Sequence, residues 1–174
     1  MPRKINTHGG GARTNANGLA FEQQTSLNDA LTAAGYTVFG VNVIKNGQTI
    51  GLSLPKKKLY TEFLTPNGID YRDYNSKVWE PDEAFLNYQN RTLYVIEKKF
   101  QKCAGSVDEK LPNCHFKKQE YQKLMTPLQY KVEFLYVLSD WFQDSRYRDT
   151  LQYVVDMGCL YYFNQIPLEI LELT

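Results

Sequence analysis

Asp82, Glu97 and Lys99 are the residues whose types and spacing could do chemistry together. Fourteen residues separate Asp82 from Glu97, and one separates Glu97 from Lys99. Two carboxylates brought side by side offer hard oxygens that suit Mg²⁺. An ion held there lowers the pKa of a bound water and polarises a phosphoryl oxygen. An ammonium beside it can orient the attacking water or stabilise charge that develops on phosphorus. The alternative is a solvated hairpin end carrying ordinary surface ion pairs, each worth about 1 kcal/mol or less.

Whether the three groups meet depends on the elements that carry them. Two apolar-rich runs, residues 78–86 and 92–100, flank the polar break Asn87-Tyr88-Gln89-Asn90-Arg91. This pattern predicts a β-hairpin. With the turn centred on Gln89 and Asn90, Leu86 faces Leu93, Ala84 faces Val95 and Asp82 faces Glu97. Directly opposed side chains lie about 5 Å apart at Cβ. Lys99 shares the face of Glu97, because side chains along a strand alternate with a period of two. Leu93, Tyr94, Val95, Ile96 and Phe100 suggest a strand covered on both faces. Charges at the end of such a strand need a strong partner, and a divalent metal between Asp82 and Glu97 supplies one.

Pro81-Asp82, the fourteen-residue spacer and Glu97-Lys98-Lys99 together resemble the motif of the PD-(D/E)xK nuclease superfamily. That family includes many type II restriction endonucleases, resolvases and repair nucleases. The resemblance implies Asp82 and Glu97 as metal ligands, Lys99 as the catalytic lysine, and Mg²⁺ (or Mn²⁺ in its place) as the cofactor. Gly18-Leu19-Ala20-Phe21-Glu22 resembles the family's first-helix segment, whose glutamate joins the metal cluster. A helical wheel sets Glu22 away from the Leu27–Leu31 stripe, and an acid in a first turn is also favoured by the helix dipole.

Around the hairpin, a helix is predicted over residues 18–34, ended by Gly35, then a strand over 36–44 and a turn at Asn46-Gly47. Residues 48–75 form an insert that could hold a strand or a helix. Residues 101–113 read as a loop. A helix over 115–124, a strand over 131–138, a helix over 145–157 ended by Gly158, a strand over 159–163 and a closing segment over 168–173 follow. Lys117, Lys118 and Lys123 read as the outer face of their helix. This order resembles the family's αβββαβ core, an α/β fold with a mixed central sheet flanked by helices. The resemblance covers most of the chain from Gly18 onward, leaving residues 1–17 as a flexible basic, glycine-rich arm.

The function expected is a Mg²⁺-dependent endonuclease acting on double-stranded DNA. The small chain, and a loop Gly105-Ser106-Val107-Asp108-Glu109-Lys110 that resembles one in restriction-type members, favour a site-specific type II enzyme acting as a homodimer. The alternatives are a non-catalytic DNA-binding partner subunit, or a resolvase or repair nuclease of the same fold. Candidate DNA contacts are Arg13 in the arm, Lys56, Lys57 and Lys58 in the insert, Gln101 on the face of Lys99, and Ser106 and Lys110 in the loop. Lysines and arginines of this kind supply affinity for the phosphate backbone without sequence information.

Bulk properties fit these expectations. The 174 residues suffice for one domain with a substantial core. A net charge of +1 requires any nucleic-acid site to be a local patch. Three cysteines without a CxxC pair argue against a disulfide framework or a zinc site. No leader and no apolar run of about 18 residues is evident, so a cytoplasmic protein without membrane or nucleotide cofactor is expected.

Overall fold

The structure is a computed structural model that describes residues 10–173, with side chains from residue 16 onward. Its frame is a seven-stranded mixed sheet in sequential order. The strands are β1 (Thr37–Phe39), β2 (Asn42–Lys45), β3 (Gln48–Ser53), β4 (Glu83–Asn87), β5 (Thr92–Lys99), β6 (Lys131–Leu138) and β7 (Leu160–Phe163). Pairing is antiparallel from β1 to β5, then parallel from β5 to β7. The parallel pairs need crossovers. Helices α3 (Cys114–Met125) and α4 (Arg148–Asp156) supply them. Helices α1 (Gly10–Gln24) and α2 (Leu27–Ala33) precede the sheet. This is the expected α/β class with a mixed central sheet flanked by helices.

Alternation along β5 divides the core in two. Leu93 and Val95 join Ala84, Leu86, Phe134 and Tyr136 under α3 and α4, while Tyr94 and Ile96 join Phe85, Leu135 and Val137 under α1 and α2. Burial on both faces explains why β5 and β6 read as nearly continuous apolar runs. The hairpin pairs as its sequence predicts, with Leu86 opposite Leu93 and Ala84 opposite Val95. Asn87 fixes its turn. Its side-chain oxygen accepts the amides of Gln89 and Asn90, and its amide nitrogen donates to the Leu171 carbonyl, tying the C-terminal segment down.

Several elements differ from expectation. The predicted single helix is two. Ser26 accepts the Asp29 amide and caps α2, so the chain turns at Thr25-Ser26. Of the expected arm, residues 1–9 lie outside the described residues, and residues 10–17 are helical and continuous with α1. The predicted strand over 36–44 folds back at Gly40, whose φ is 60°. The Asn46-Gly47 turn is present, with φ of 52° and 77°, the left-handed pair of a type I′ hairpin. The insert holds both candidates, strand β3 and a π-helical turn Leu59–Leu64. Residues 78–82 are not strand. Pro81 has no amide for the ladder, and β4 begins only at Glu83.

Candidate active site

Asp82 precedes the first paired residue of β4, where Glu83 faces Ile96. One step further along that register sets Asp82 beside Glu97. The contact is made through the backbone, since the Lys98 amide donates to Asp82 Oδ2 at 2.8 Å. Asp82 Oδ1 pairs with Lys56 Nζ. Lys56 stands just past β3 in the left-handed region, at φ 53°, where its amide donates to the Pro81 carbonyl at 2.8 Å. Such backbone is sparsely populated for non-glycine residues. Here it aims the lysine at Asp82.

Glu97 continues the Leu93–Val95 face, so it points toward α3. It is 5 % exposed. Its Oε2 accepts Lys99 Nζ at 2.9 Å and Lys117 Nζ at 3.0 Å. A carboxylate this buried is costly without such partners. Tyr121, one turn beyond Lys117 on α3, is fully enclosed, and among the described residues nothing bonds its hydroxyl. Burial, and then the charge of Glu97, push its phenol pKa up. Lys98 points to the opposite face. Its ammonium bridges Glu83 Oε1 at 2.8 Å and the Glu22 carbonyl at 3.1 Å, locking α1 to the end of the sheet.

The sequence-derived candidates therefore fall into three groups. Asp82, Glu97 and Lys99 converge at one end of the β4–β5 hairpin. Glu22 sits at the mouth of that site. It is exposed and lines two open clefts of about 410 and 490 Å³, one shared with Lys56 and Asp82, the other with Lys99 and Lys110. Lys57, Lys58 and Ser106 are exposed surface groups. Gln101 differs from its expected role. It is buried, its side-chain amide finds no partner among the described residues, and it packs beneath Gly105 rather than facing outward. The Arg13 side chain lies outside the described residues.

Two site residues escaped the sequence reading. Lys117 was expected on an outer face but turns inward to Glu97, and its neighbour Lys118 likewise reaches Glu133 at 3.1 Å and the Gly158 carbonyl at 2.8 Å. Lys56, named above as a DNA contact, is exposed, and its pairing with Asp82 is what the sequence reading did not foresee. Neither has a sequence signal, since both depend on which strand end the next element crosses.

Among the described residues no three His, Cys, Asp or Glu side chains cluster closely enough to cage a metal. Asp82 meets the backbone of the residue after Glu97, and Mg²⁺ is commonly held by one or two carboxylates with water and substrate phosphate completing its shell. The donor set fits that mode, with Lys56, Lys99 and Lys117 as the counter-charges any cation would replace.

The electrostatics can be tested directly. Burial raises the Asp82 pKa, but the hydrogen bonds from Lys56 and the Lys98 amide and the charge of Lys99 outweigh it, holding the carboxyl below its ordinary value. Lys56 shows the complement. Burial lowers its pKa, and Asp82, Glu22 and Glu97 together hold it above the usual value. A depressed carboxylate pKa contributes stability that is present above about pH 3.9 and is lost as pH falls through the folded-state value. Lys56→Met keeps the burial and removes the main compensation, so the Asp82 pKa is expected to rise. Carboxyl ¹³C titration by NMR reads this, and an unmoved Asp82 midpoint would refute the pairing. No family model matches the chain, and neither does any curated protein or solved structure.

Proposed function

We propose that this chain is a metal-dependent endonuclease of the PD-(D/E)xK type that hydrolyses phosphodiester bonds in DNA. The observation that carries the reading is the convergence of Asp82, Glu97 and Lys99. The two acids stand on neighbouring backbone joined by the Lys98 amide, and the lysine is bonded to one of them. With the β1 and β2 strands that come between α2 and β3 set aside, the elements α2, β3, β4, β5, α3, β6 follow the αβββαβ order, which supports the restriction-endonuclease-like core, with Asp82 just before the second of those strands and Glu97 and Lys99 on the third.

Asp82 and Glu97 would hold Mg²⁺, or Mn²⁺ in its place, which when bound supplies Lewis-acid polarisation of a phosphoryl oxygen. The Lys98 amide fixes the Asp82 carboxylate through Oδ2, and Oδ1, paired with Lys56, would turn to the ion. Lys99 orients the attacking water and stabilises charge on the phosphate. Lys117 holds the same Glu97 oxygen as Lys99, so Glu97 stays anchored when Lys99 turns to substrate. Lys56 and the exposed Lys57 and Lys58 form a local basic patch beside Asp82 that suits a phosphate backbone. Site-specific cutting by a homodimer on a palindromic site is the restriction-type form of this reading.

One observation favours a second reading. Both carboxylates are already neutralised by lysines, and such a network suits a DNA-binding subunit without turnover. Supercoiled plasmid of known sequence, incubated with Mg²⁺ and with EDTA, separates the two. The nuclease reading expects cleavage that EDTA abolishes. Discrete fragments would indicate a site-specific enzyme, and a smear would indicate a structure-specific or non-specific one. DNA retention without cutting under Mg²⁺ or Mn²⁺ would establish the binding subunit.

A further inference from the structure

A cavity larger than the two clefts beside the carboxylates lies away from that site. It is a cleft of about 670 Å³ built by the segment between β3 and β4, which the αβββαβ order does not require. Its volume lies within the roughly 300–1,000 Å³ of small-molecule sites. Tyr60 and Tyr71 form its aromatic wall, their rings edge to face with centroids 6.2 Å apart. Tyr60 cannot swing away. Its hydroxyl donates to the Trp79 carbonyl at 2.7 Å and accepts the Trp79 amide at 3.2 Å. Ile69 and Val78 add apolar surface, Asp70 and Arg72 line the cleft as an ion pair with each other, and Lys57 and Glu80 supply unpaired charge. Both of these last groups are exposed and have no ion-pair partner among the described residues.

The cleft and the carboxylate site are built by neighbouring stretches of chain at two places. Lys57 follows Lys56, the partner of Asp82, and Glu80 lies two residues before Asp82. This adjacency along the chain makes a ligand in the cleft a neighbour of the proposed cleavage site. A rigid aromatic wall, a free cation for a phosphate and a free carboxylate for an exocyclic amine match one ligand class, a nucleobase with its own phosphate. A purely apolar ligand would leave Lys57 and Glu80 unused. An isolated anion would not need the aromatic wall.

We infer that this cleft receives a single unstacked nucleotide of the DNA strand next to the cleaved bond, making Tyr71, Lys57 and Glu80 determinants of sequence preference. The inference rests on the endonuclease reading for its place on DNA, but the nucleotide site itself is measurable without cleavage. The full-length protein is titrated with each of the four deoxynucleoside 5′-monophosphates in EDTA, by calorimetry and by amide NMR shifts. Saturable binding is expected, with shifts centred on Thr61, Gly68 and Tyr71. Tyr71→Ala is expected to weaken it roughly 5- to 100-fold, the range for loss of a base–aromatic stack. Tyr71→Phe keeps the ring and should retain binding. Lys57→Ala, at an exposed position that leaves the fold untouched, should weaken monophosphates more than the corresponding nucleosides.

Absence of binding at millimolar concentrations would overturn the inference. So would binding that Lys99→Ala abolishes while Tyr71→Ala and Lys57→Ala leave it intact, because the nucleotide would then sit at the carboxylates. Tyr71-dependent binding in a protein that cuts no plasmid would sink the endonuclease reading alone and leave the nucleotide site standing.

Discussion

Lys99→Ala is expected to lower the DNA cleavage rate about a hundred- to a thousand-fold, the scale for loss of one preorganised group that stabilises transition-state charge. DNA binding should survive, because lysines 56, 57 and 58, proposed above as the phosphate contacts, lie outside β5. The fold should survive too. Glu97 is buried, and stripping a buried carboxylate of its only partner would cost several kcal/mol. Here Lys117 stays on the same oxygen at 3.0 Å. The expected result is therefore a folded, DNA-binding, inactive protein, checked by gel shift, circular dichroism and plasmid nicking on one preparation. Lys117→Ala is the informative companion. If Lys117 only anchors Glu97, this variant keeps more activity than Lys99→Ala. Robust cutting by Asp82→Ala would refute the role given to that carboxylate.

The hairpin and its register were legible because a strand buried on both faces leaves a long apolar signature, and the polar run 87–91 admits one turn. The β6 strand was legible for the same reason, and its predicted bounds match the structure. What stayed hidden depends on three-dimensional crossing. Lys117 reads as a surface residue because its helix is polar overall, and only the α3 crossover from β5 to β6 lays it over Glu97. The break between α1 and α2 was masked by the helical spacing of Ala20, Leu27, Leu31 and Ala34, which runs across Ser26, whose capping role shows only when the Asp29 amide meets its hydroxyl. Start of α1 at Gly10 was not foreseen because glycine is a poor helix former. The insert could not be assigned, since its π-helical turn and short 3₁₀ turns have no repeat long enough to register.

Those hidden parts also show what the site demands of the fold. Lys56 and Asp82 come from chain segments at the ends of β3 and β4, so the spacing of these two strands sets their distance. Gly51 of β3 controls that spacing. It pairs with Asn87 of β4 on one side and Val43 of β2 on the other. A Cβ built on Gly51 would stand 2.2 Å from the Leu86 carbonyl oxygen and 2.9 Å from the Phe85 ring. The oxygen is backbone and cannot rotate away, and Phe85 is fully enclosed. Gly51→Ala must therefore push β3 off β4. Overpacking in a core typically costs about 1–3 kcal/mol and occasionally more, and with a backbone atom as the obstacle the upper end, about 3 kcal/mol, is expected from urea unfolding. Gly35→Ala makes the contrast. No atom lies within 4 Å of its Cβ, and only its φ of 89° resists the change. The strand displacement should also separate Lys56 from Asp82, so Gly51→Ala should raise the Asp82 pKa in the same direction as Lys56→Met. A Gly51→Ala protein of unchanged stability and unchanged Asp82 titration would show that β3 does not set the geometry of the site.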